Sequence, residues 1–211
     1  AQLEDITMEE ASLIEPMGVA MDLTYTTMPE LNDDVLVIGL GPIGLMALRL
    51  ARLMGARYVF GAARSASKAR IELAREYGAD DVIYTDHINL EEYKFPRGGL
   101  DKIMVTAPPR TIPTAIKILK PGGVVGFIGI EYGEGANITF DANYFHFNKL
   151  QLRASHAAPA LFFPRCIELI KSGAIDVKPQ VTHRFKLDDI AEAMHQAAND
   201  KANVIKSVMI D

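Results

Sequence analysis

The segment from Asp34 to Gly44, DVLVIGLGPIG, limits the possible folds of this chain more than any other stretch. Its apolar run, residues 35–38, is too short for a buried helix and is rich in β-branched residues, which predicts a strand covered on both faces. The glycines that follow have GxGxxG spacing, and apolar residues then recur at helical intervals. The segment therefore predicts a strand, a glycine turn and a helix.

Each glycine of this turn has a physical role. Gly39 permits a tight turn, Gly41 lets the backbone approach a phosphate, and Gly44 lets the helix pack closely on the strand. Pro42 occupies the first helical turn, where its missing N–H has no intrahelical acceptor, and the free amides of that turn, such as that of Ile43, favour an anion. We interpret the turn as a site for a nucleotide pyrophosphate; the alternative is a packing turn that binds nothing.

Strands and helices continue to alternate beyond this turn. Strands are predicted at 35–38, 58–63, 81–85, 101–107, 124–129 and 150–154. This alternation predicts an α/β fold, a Rossmann doubly wound parallel sheet of order 3-2-1-4-5-6, with ligand at the carboxyl ends of the strands. After the sixth strand we expect helices at 162–171 and 187–198 and strands at 181–185 and 204–210. The last strand has no obvious partner in the parallel sheet, so we expect it to pair with chain that is not present here.

The loop after the second predicted strand bears on the choice of cofactor. A site for NAD typically has a carboxylate about twenty residues after the glycines, to accept from the ribose hydroxyls. Counting from Gly44 reaches Ala63, and no acidic residue occurs between the glycine turn and Glu72. Arg64 and Ser65 follow and suit a 2′-phosphate, through charge-assisted hydrogen bonds. The loop therefore favours NADP over NAD; the alternative is that its charges are merely solvated.

Composition restricts the class of protein. The apolar fraction of 49% and the charged fraction of 23% are ordinary for a globular domain, and 211 residues suit one large domain or one domain plus a fragment. A net charge of -5 argues against general binding to nucleic acid or an anionic membrane. No apolar run is long enough to span a bilayer. The single cysteine, Cys166, rules out an internal disulfide or a Cys-rich zinc site and predicts a cytoplasmic protein.

The beginning of the chain carries one notable carboxylate. Residues Thr7 to Glu10 have the pattern of a capping box, which predicts that a helix follows. Glu15 lies within this otherwise apolar helix, directly before Pro16. From the residues alone, Glu15 is most simply a solvated position on the helix face.

Several motifs together resemble the medium-chain dehydrogenase/reductase superfamily, in particular its zinc-dependent alcohol, sorbitol and threonine dehydrogenases. They are Glu15-Pro16, GLGPIG, GADD after the second helix, LKPGG before the fifth strand and IKSVMI near the end. The resemblance covers essentially the whole chain and implies that it is the cofactor-binding portion of a protein with a split catalytic domain. Residues 1–30 would be a linker helix from that domain, 31–156 the Rossmann domain, and 157–211 a return to the catalytic domain.

The resemblance also implies roles for single residues. Glu15 falls where the family places a further ligand of the catalytic zinc, or a carboxylate bonded to the metal's water; the other zinc ligands belong to the absent part. The stretch from Ala63 to Gly78 is two residues longer than the usual pattern, which leaves Ala63 and Ser65 both open as the 2′-phosphate position. Further cofactor contacts are implied at the ribose (Thr106, Ala107), at the nicotinamide (the backbone of Ile128, Gly129 and Ile130) and at the pyrophosphate (Lys206).

The function expected from these features is NADP(H)-dependent interconversion of a secondary alcohol or polyol and a ketone, with zinc as the Lewis acid in the full-length protein. We expect no catalytic residue within this chain, no activity from it alone, and a homo-oligomer, either dimer or tetramer. The five histidines form no HxxxH or HxH spacing. The alternatives are a zinc-independent quinone or enone reductase of the same superfamily, or a non-catalytic nucleotide-sensing module. A methyltransferase is disfavoured because Ala63 and Arg64 offer no acid after the second strand.

Overall fold

The computed structural model describes residues 5–156 and 158–210. Within these residues, no helix is both long and apolar enough to pass through a bilayer. The helices are α1 Met8–Ala11, α2 Ile14–Thr27, α3 Pro42–Leu53, α4 Lys68–Glu76, α5 Ile112–Lys117, α6 Ala142–Phe147, α7 Phe163–Lys171 and α8 Ile190–Asn199. The strands are β1 Asp34–Ile38, β2 Tyr58–Ala63, β3 Asp81–Tyr84, β4 Leu100–Val105, β5 Leu119–Phe127, β6 Gln151–Ala154, β7 Val181–Phe185 and β8 Lys206–Met209.

Six parallel strands form the central sheet in the order β3-β2-β1-β4-β5-β6, which confirms the predicted Rossmann topology. Every residue of β1 is buried. Val35 and Val37 point into an apolar cluster on one face of the sheet, and Leu36 and Ile38 into a second cluster on the other. The two-residue period of a strand thus divides one apolar run between two cores. Helices α2, α3, α4 and α7 contribute to the first core and α5 to the second.

Strand β5 begins earlier than expected. The fifth strand was predicted to span residues 124–129, but Leu119 already pairs with Leu100 and the strand ends at Phe127. A shift of register between Leu100 and Lys102 accommodates the irregular backbone. Gly122 adopts a φ of +83° there. This positive φ, which glycine adopts readily, bends the strand. The bulge allows pairing with β4 to continue on both sides of the bend.

The amino-terminal helical segment consists of two helices where one was expected. The capping box is present: the Thr7 side chain accepts from the Glu10 amide at 3.2 Å, and Glu10 Oε2 accepts from the Thr7 amide at 2.8 Å. Helix α1 nevertheless ends after one turn. Pro16 lacks the N–H that would donate to the Ser12 carbonyl, and its ring would clash there, so a continuous helix is excluded.

The carboxyl-terminal segment contains a correction. Strand β8 pairs in parallel with β7 of the same chain, from Val181 opposite Lys206 to Phe185 opposite Met209. The expectation that the last strand pairs with chain that is not present here is therefore wrong. Helix α8 connects the two strands as a β-α-β crossover, which is the connection that parallel pairing requires. A short 3₁₀ turn precedes α8, so this helix starts three residues later than predicted.

Candidate functional site

The glycine turn after β1 has the geometry that its sequence predicts. Gly39 has a φ of +96°, and a Cβ there would lie 2.7 Å from Thr106 Oγ1. A Cβ on Gly44 would lie 1.9 Å from the Gly39 carbonyl oxygen. By contrast, a Cβ on Gly41 would meet no atom within 4 Å. Packing therefore requires glycine at the first and third positions, while the middle glycine faces open space of the kind that a ligand phosphate needs.

Helix α3 opens onto the same space. Gly41 is its N-cap residue, Pro42 is its first residue, and the Leu45 amide donates to the Gly41 carbonyl at 2.9 Å. The amides of Ile43 and Gly44 precede this first intrahelical bond and have no acceptor within the helix. They lie at the positive end of a helix dipole, an arrangement that favours an anion.

Thr106 joins the end of β4 to the glycine turn. Its hydroxyl donates to the Gly39 carbonyl at 2.9 Å, and its amide donates to the Ile38 carbonyl at 2.9 Å. The Ala107 amide donates to the same Ile38 oxygen at 3.1 Å. These bonds fix the carboxyl end of β1 between β2 and β4, at the point where the strand order reverses and ligands bind in open α/β sheets.

Two adjoining cavities occupy this crevice. One of about 450 Å³ lies over the glycine turn, and one of about 470 Å³ lies along the ends of β2, β3 and β4. Each is within the size range of ligand pockets. The predicted residues that line the first cavity are Gly39, Gly41, Pro42, Ile43, Gly44, Ala63, Arg64 and Thr106; those lining the second are Gly39, Ala63, Arg64 and Ala107.

Arg70 also lines the first cavity, although the sequence pattern did not single it out. Its Nη2 donates to the Val204 carbonyl at 3.1 Å, while its Nε is buried without a hydrogen-bond partner. Burial lowers the pKa of its guanidinium. Within the described residues no carboxylate forms a salt bridge with Arg70. Ser67, the N-cap residue of α4, and Arg70, in the first turn of this helix, both line the cavity. The missed signal is therefore the start of the helix that follows β2.

Ser65 has a different environment from Arg64. The Ser65 amide and hydroxyl both donate to the Asp86 carboxylate, at 2.8 Å and 2.7 Å. These bonds, chiefly the one from the amide, lower the pKa of Asp86. Asp86 follows β3 and is exposed. No acid directly follows β2 along the chain, but the end of the neighbouring strand β3 brings Asp86 beside this loop.

The residues implied at the nicotinamide lie beyond β5, outside both cavities. The Ile128 amide donates to the Val105 carbonyl at 3.0 Å. A Cβ on Gly129 would lie 1.9 Å from the Ala107 carbonyl oxygen, so this glycine packs directly against the end of β4. Ile130 is 75% exposed.

Lys206 lies on β8 and lines a separate cavity of about 240 Å³. Arg70 lines this cavity as well as the one over the glycine turn, so the two spaces meet at its side chain. The structure therefore places Lys206 near the crevice but does not bring it into the space over the glycine turn.

Glu15 is exposed in the first turn of α2. Among residues 5–156 and 158–210, no three His, Cys, Asp or Glu side chains form a group that could hold a metal ion. Burial raises the pKa of the Cys166 thiol to about 11, which makes it a poor metal ligand. The described residues therefore do not by themselves fit a zinc ion, and a single carboxylate such as Glu15 does not make a site.

Comparison with known proteins agrees with this geometry. The family model for zinc-binding dehydrogenases matches residues 42–172. An L-threonine 3-dehydrogenase from Shewanella baltica strain OS185 is 30% identical over 194 residues, 90% of this chain and 55% of the relative. An L-arabinitol 4-dehydrogenase from Aureobasidium melanogenum is 30% identical over 214 residues, 97% of this chain and 56% of the relative. The chain thus spans about half the length of these curated relatives.

Solved structures share the fold. A short chain alcohol dehydrogenase from Escherichia coli CFT073, complexed with NADH, superposes with a TM-score of 0.90 at 25% identity, over 99% of this chain and 61% of the other. A zinc-binding dehydrogenase from Sinorhizobium meliloti 1021, bound to NADP, gives a TM-score of 0.86 at 24% identity, over 96% and 59%. With the glycine turn, the sheet order and the family match in agreement, this chain belongs to the zinc-dependent medium-chain dehydrogenase family and contains that family's cofactor-binding portion.

Proposed function

We propose that this chain binds NADP(H) in the crevice over the glycine turn, as the cofactor-binding part of an enzyme that interconverts a secondary alcohol or polyol and a ketone. The geometry of the cavity over the glycine turn is the main support for this proposal. Gly41 leaves open space in front of free helix amides, and the uncompensated Arg70 guanidinium lines the same cavity. The substrate class follows from the named activities of the relatives, which act on threonine and on arabinitol.

In this proposal the chain's own residues bind and orient the cofactor. The amides of Ile43 and Gly44 hold the pyrophosphate, and Thr106 and Ala107 contact the ribose. When bound, the dinucleotide supplies a nicotinamide that accepts or returns hydride. The backbone of residues 128–130, with Gly129 packed against the end of β4, positions that ring. Lys206 supports the pyrophosphate from the side of β8.

The preference for NADP rests on charge. Ala63 ends β2 with a small side chain, and Arg64 follows it with an exposed guanidinium that lines both cavities. Arg70 adds a second cation to the cavity over the glycine turn. A 2′-phosphate carries about two negative charges and forms strong charge-assisted hydrogen bonds to guanidinium groups. The neutral hydroxyl of NAD gains much less from the same arginines.

Replacing either Arg64 or Arg70 by alanine is expected to weaken NADPH binding by about tenfold or more, because each change removes a hydrogen bond between charged groups. NADH affinity should change much less with Arg64→Ala. Titration by nicotinamide fluorescence measures both constants, and Arg75→Ala, in the last turn of α4 and bonded to the Tyr84 hydroxyl, is the matched control. Equal or tighter binding of NADH by the unaltered chain would contradict the cofactor assignment, and binding of S-adenosylmethionine in its place would contradict the reaction class.

The catalytic metal belongs, in this proposal, to the part of the enzyme outside this chain. Residues 1–30 and 157–211 flank the Rossmann domain and connect it to the catalytic domain. Glu15 then faces the metal site from the cofactor-binding side, with its exposed carboxylate free of any salt bridge in the described residues. This arrangement agrees with the chain's spanning about half of its relatives.

We therefore expect the chain alone to retain less than about a tenth of an equivalent of zinc after dialysis, since one carboxylate falls short of the three protein ligands of a catalytic zinc. We also expect no alcohol-dependent formation of NADPH. Elemental analysis and an absorbance assay check these results. Stoichiometric zinc, or turnover by the chain alone, would show that the metal ligands lie within it.

A further inference from the structure

We propose that Asp86 is a specificity-determining residue, which limits the preference of the crevice for a 2′-phosphorylated dinucleotide. This inference rests on the function proposed above. Asp86 follows strand β3 and reaches the loop after β2, where its two carboxylate oxygens accept from the amide and hydroxyl of Ser65. The adjacent residue, Arg64, lines both cavities of the crevice. A negative charge is thus fixed one residue away from the cation proposed to receive the phosphate.

Asp86 occupies the hydrogen-bond donors of Ser65. The Ser65 amide and hydroxyl are the neutral donors at one of the two positions that the sequence left open for a 2′-phosphate. Both are occupied by Asp86, at 2.8 Å and 2.7 Å. A phosphate that used them would have to displace a carboxylate with two good hydrogen bonds. Recognition of the phosphate therefore depends on the groups that line the cavity over the glycine turn, chiefly the cations Arg64 and Arg70 beside the Ser67 side chain.

The negative charge of Asp86 also disfavours a phosphate nearby. Like charges near a protein surface repel, and the 2′-phosphate carries about two negative charges where NAD carries none. Within the described residues no Lys or Arg pairs with Asp86, so its charge is not neutralised by a salt bridge. Its repulsion acts on NADP and leaves NAD largely unaffected. The cofactor preference is a balance between Asp86 on one side and the two arginines on the other.

A purely structural role is the competing explanation. Asp86 also steadies the turn, within which the Ser67 amide donates to the Arg64 carbonyl at 3.0 Å. Asp86→Asn separates the two roles. An asparagine oxygen still accepts from the Ser65 amide, and the hydroxyl rotates to accept from the new NH₂ group, but the charge is gone. A structural role predicts that both cofactors respond equally.

The experiment is a fluorescence titration of the full chain with NADPH and with NADH. We expect Asp86→Asn to tighten NADPH binding by about tenfold and to leave NADH within about twofold, and we expect this gain to shrink in about 1 M salt. Asp86→Ala also loosens the turn, so both affinities fall, but the ratio still moves toward NADPH. Glu168→Gln, which removes one exposed carboxylate from α7, controls for net charge and should leave the ratio unchanged.

Three results would overturn the inference. An unchanged ratio in both Asp86 variants, or equal changes for the two cofactors, assigns Asp86 a structural role while leaving the proposed function intact. An equal shift of the ratio in Glu168→Gln assigns the effect to net charge. If the unaltered chain binds neither dinucleotide, the proposed function fails, and this inference fails with it.

Discussion

Gly44→Ala is expected to abolish measurable dinucleotide binding and to destabilise the fold. The added Cβ would lie 1.9 Å from the Gly39 carbonyl oxygen, and a backbone atom cannot rotate away as a side chain can. Helix α3 must therefore shift away from the turn after β1. Overpacking of this kind costs about 3 kcal/mol of unfolding free energy. Chemical denaturation followed by circular dichroism measures this loss, and NADPH fluorescence measures binding, which should weaken more than about a hundredfold.

Gly41→Ala provides the matched control for Gly44→Ala. It adds the same methyl group to the same turn, but at a position with a different environment. Gly41 has a φ of -70°, and its Cβ would meet no protein atom within 4 Å. Stability should therefore fall by no more than about 1 kcal/mol, the usual loss when alanine occupies an N-cap position. The methyl group would nevertheless stand in the cavity where the pyrophosphate is proposed to bind, so NADPH affinity should fall by about thirtyfold or more. Unchanged NADPH affinity in Gly41→Ala would show that the pyrophosphate binds elsewhere.

The second large effect is expected at Asp34, at the amino end of β1 and therefore at the opposite end of the sheet from the crevice. Its side chain is 1% exposed, and its carboxylate accepts from Lys120 at 2.8 Å and from Arg57 at 3.1 Å. Arg97 lies 3.5 Å away. Burial by itself would raise the pKa of Asp34, but the hydrogen bonds from Lys120 and Arg57 outweigh it and hold this pKa below its ordinary value.

Asp34→Asn should lower the free energy of unfolding by about 1 to 3 kcal/mol, because a buried charged acceptor for Lys120 and Arg57 becomes a neutral one, while Lys120 keeps its bond to Asp101 at 2.9 Å. Since the pKa of Asp34 is lowered in the folded chain, its contribution is complete above the unfolded pKa of about 3.9 and is lost as the pH falls through the lower, folded value. The unaltered chain should therefore lose stability in this acidic range, and the variant should lose less.

Urea unfolding between neutral and acidic pH tests both expectations. Asp33→Asn is the control: Asp33 has no salt bridge within the described residues, and burial raises its pKa, so removing its charge should not reproduce the loss expected for Asp34→Asn. At neutral pH and without denaturant, the Asp34→Asn variant should remain folded. It should then bind NADPH as tightly as the unaltered chain does. A stable Asp34→Asn variant, or one whose acid sensitivity equals that of the unaltered chain, would contradict the assigned role of this carboxylate.

Sequence patterns predicted the Rossmann sheet because each step depends on residues close together along the chain. The run Val35–Ile38 determines a buried strand, the positive φ at Gly39 requires glycine, and Pro42 suits only the first turn of a helix. Right-handed crossovers then leave few possible strand orders. Boundaries were predicted less well where a tertiary contact decides them, as at Leu119, whose pairing with Leu100 extends β5.

The amino-acid sequence by itself determined the glycine turn and the order of the strands in the sheet, since these follow from local backbone preferences. It also showed that no acid lies between the glycine turn and Glu72. Only the tertiary structure decided which distant groups meet. Asp86 reaches Ser65 across 21 residues, and Arg70 reaches Val204 across 134. Strand β8 likewise pairs with β7. Such contacts depend on how whole elements pack, and no local spacing in the sequence specifies them.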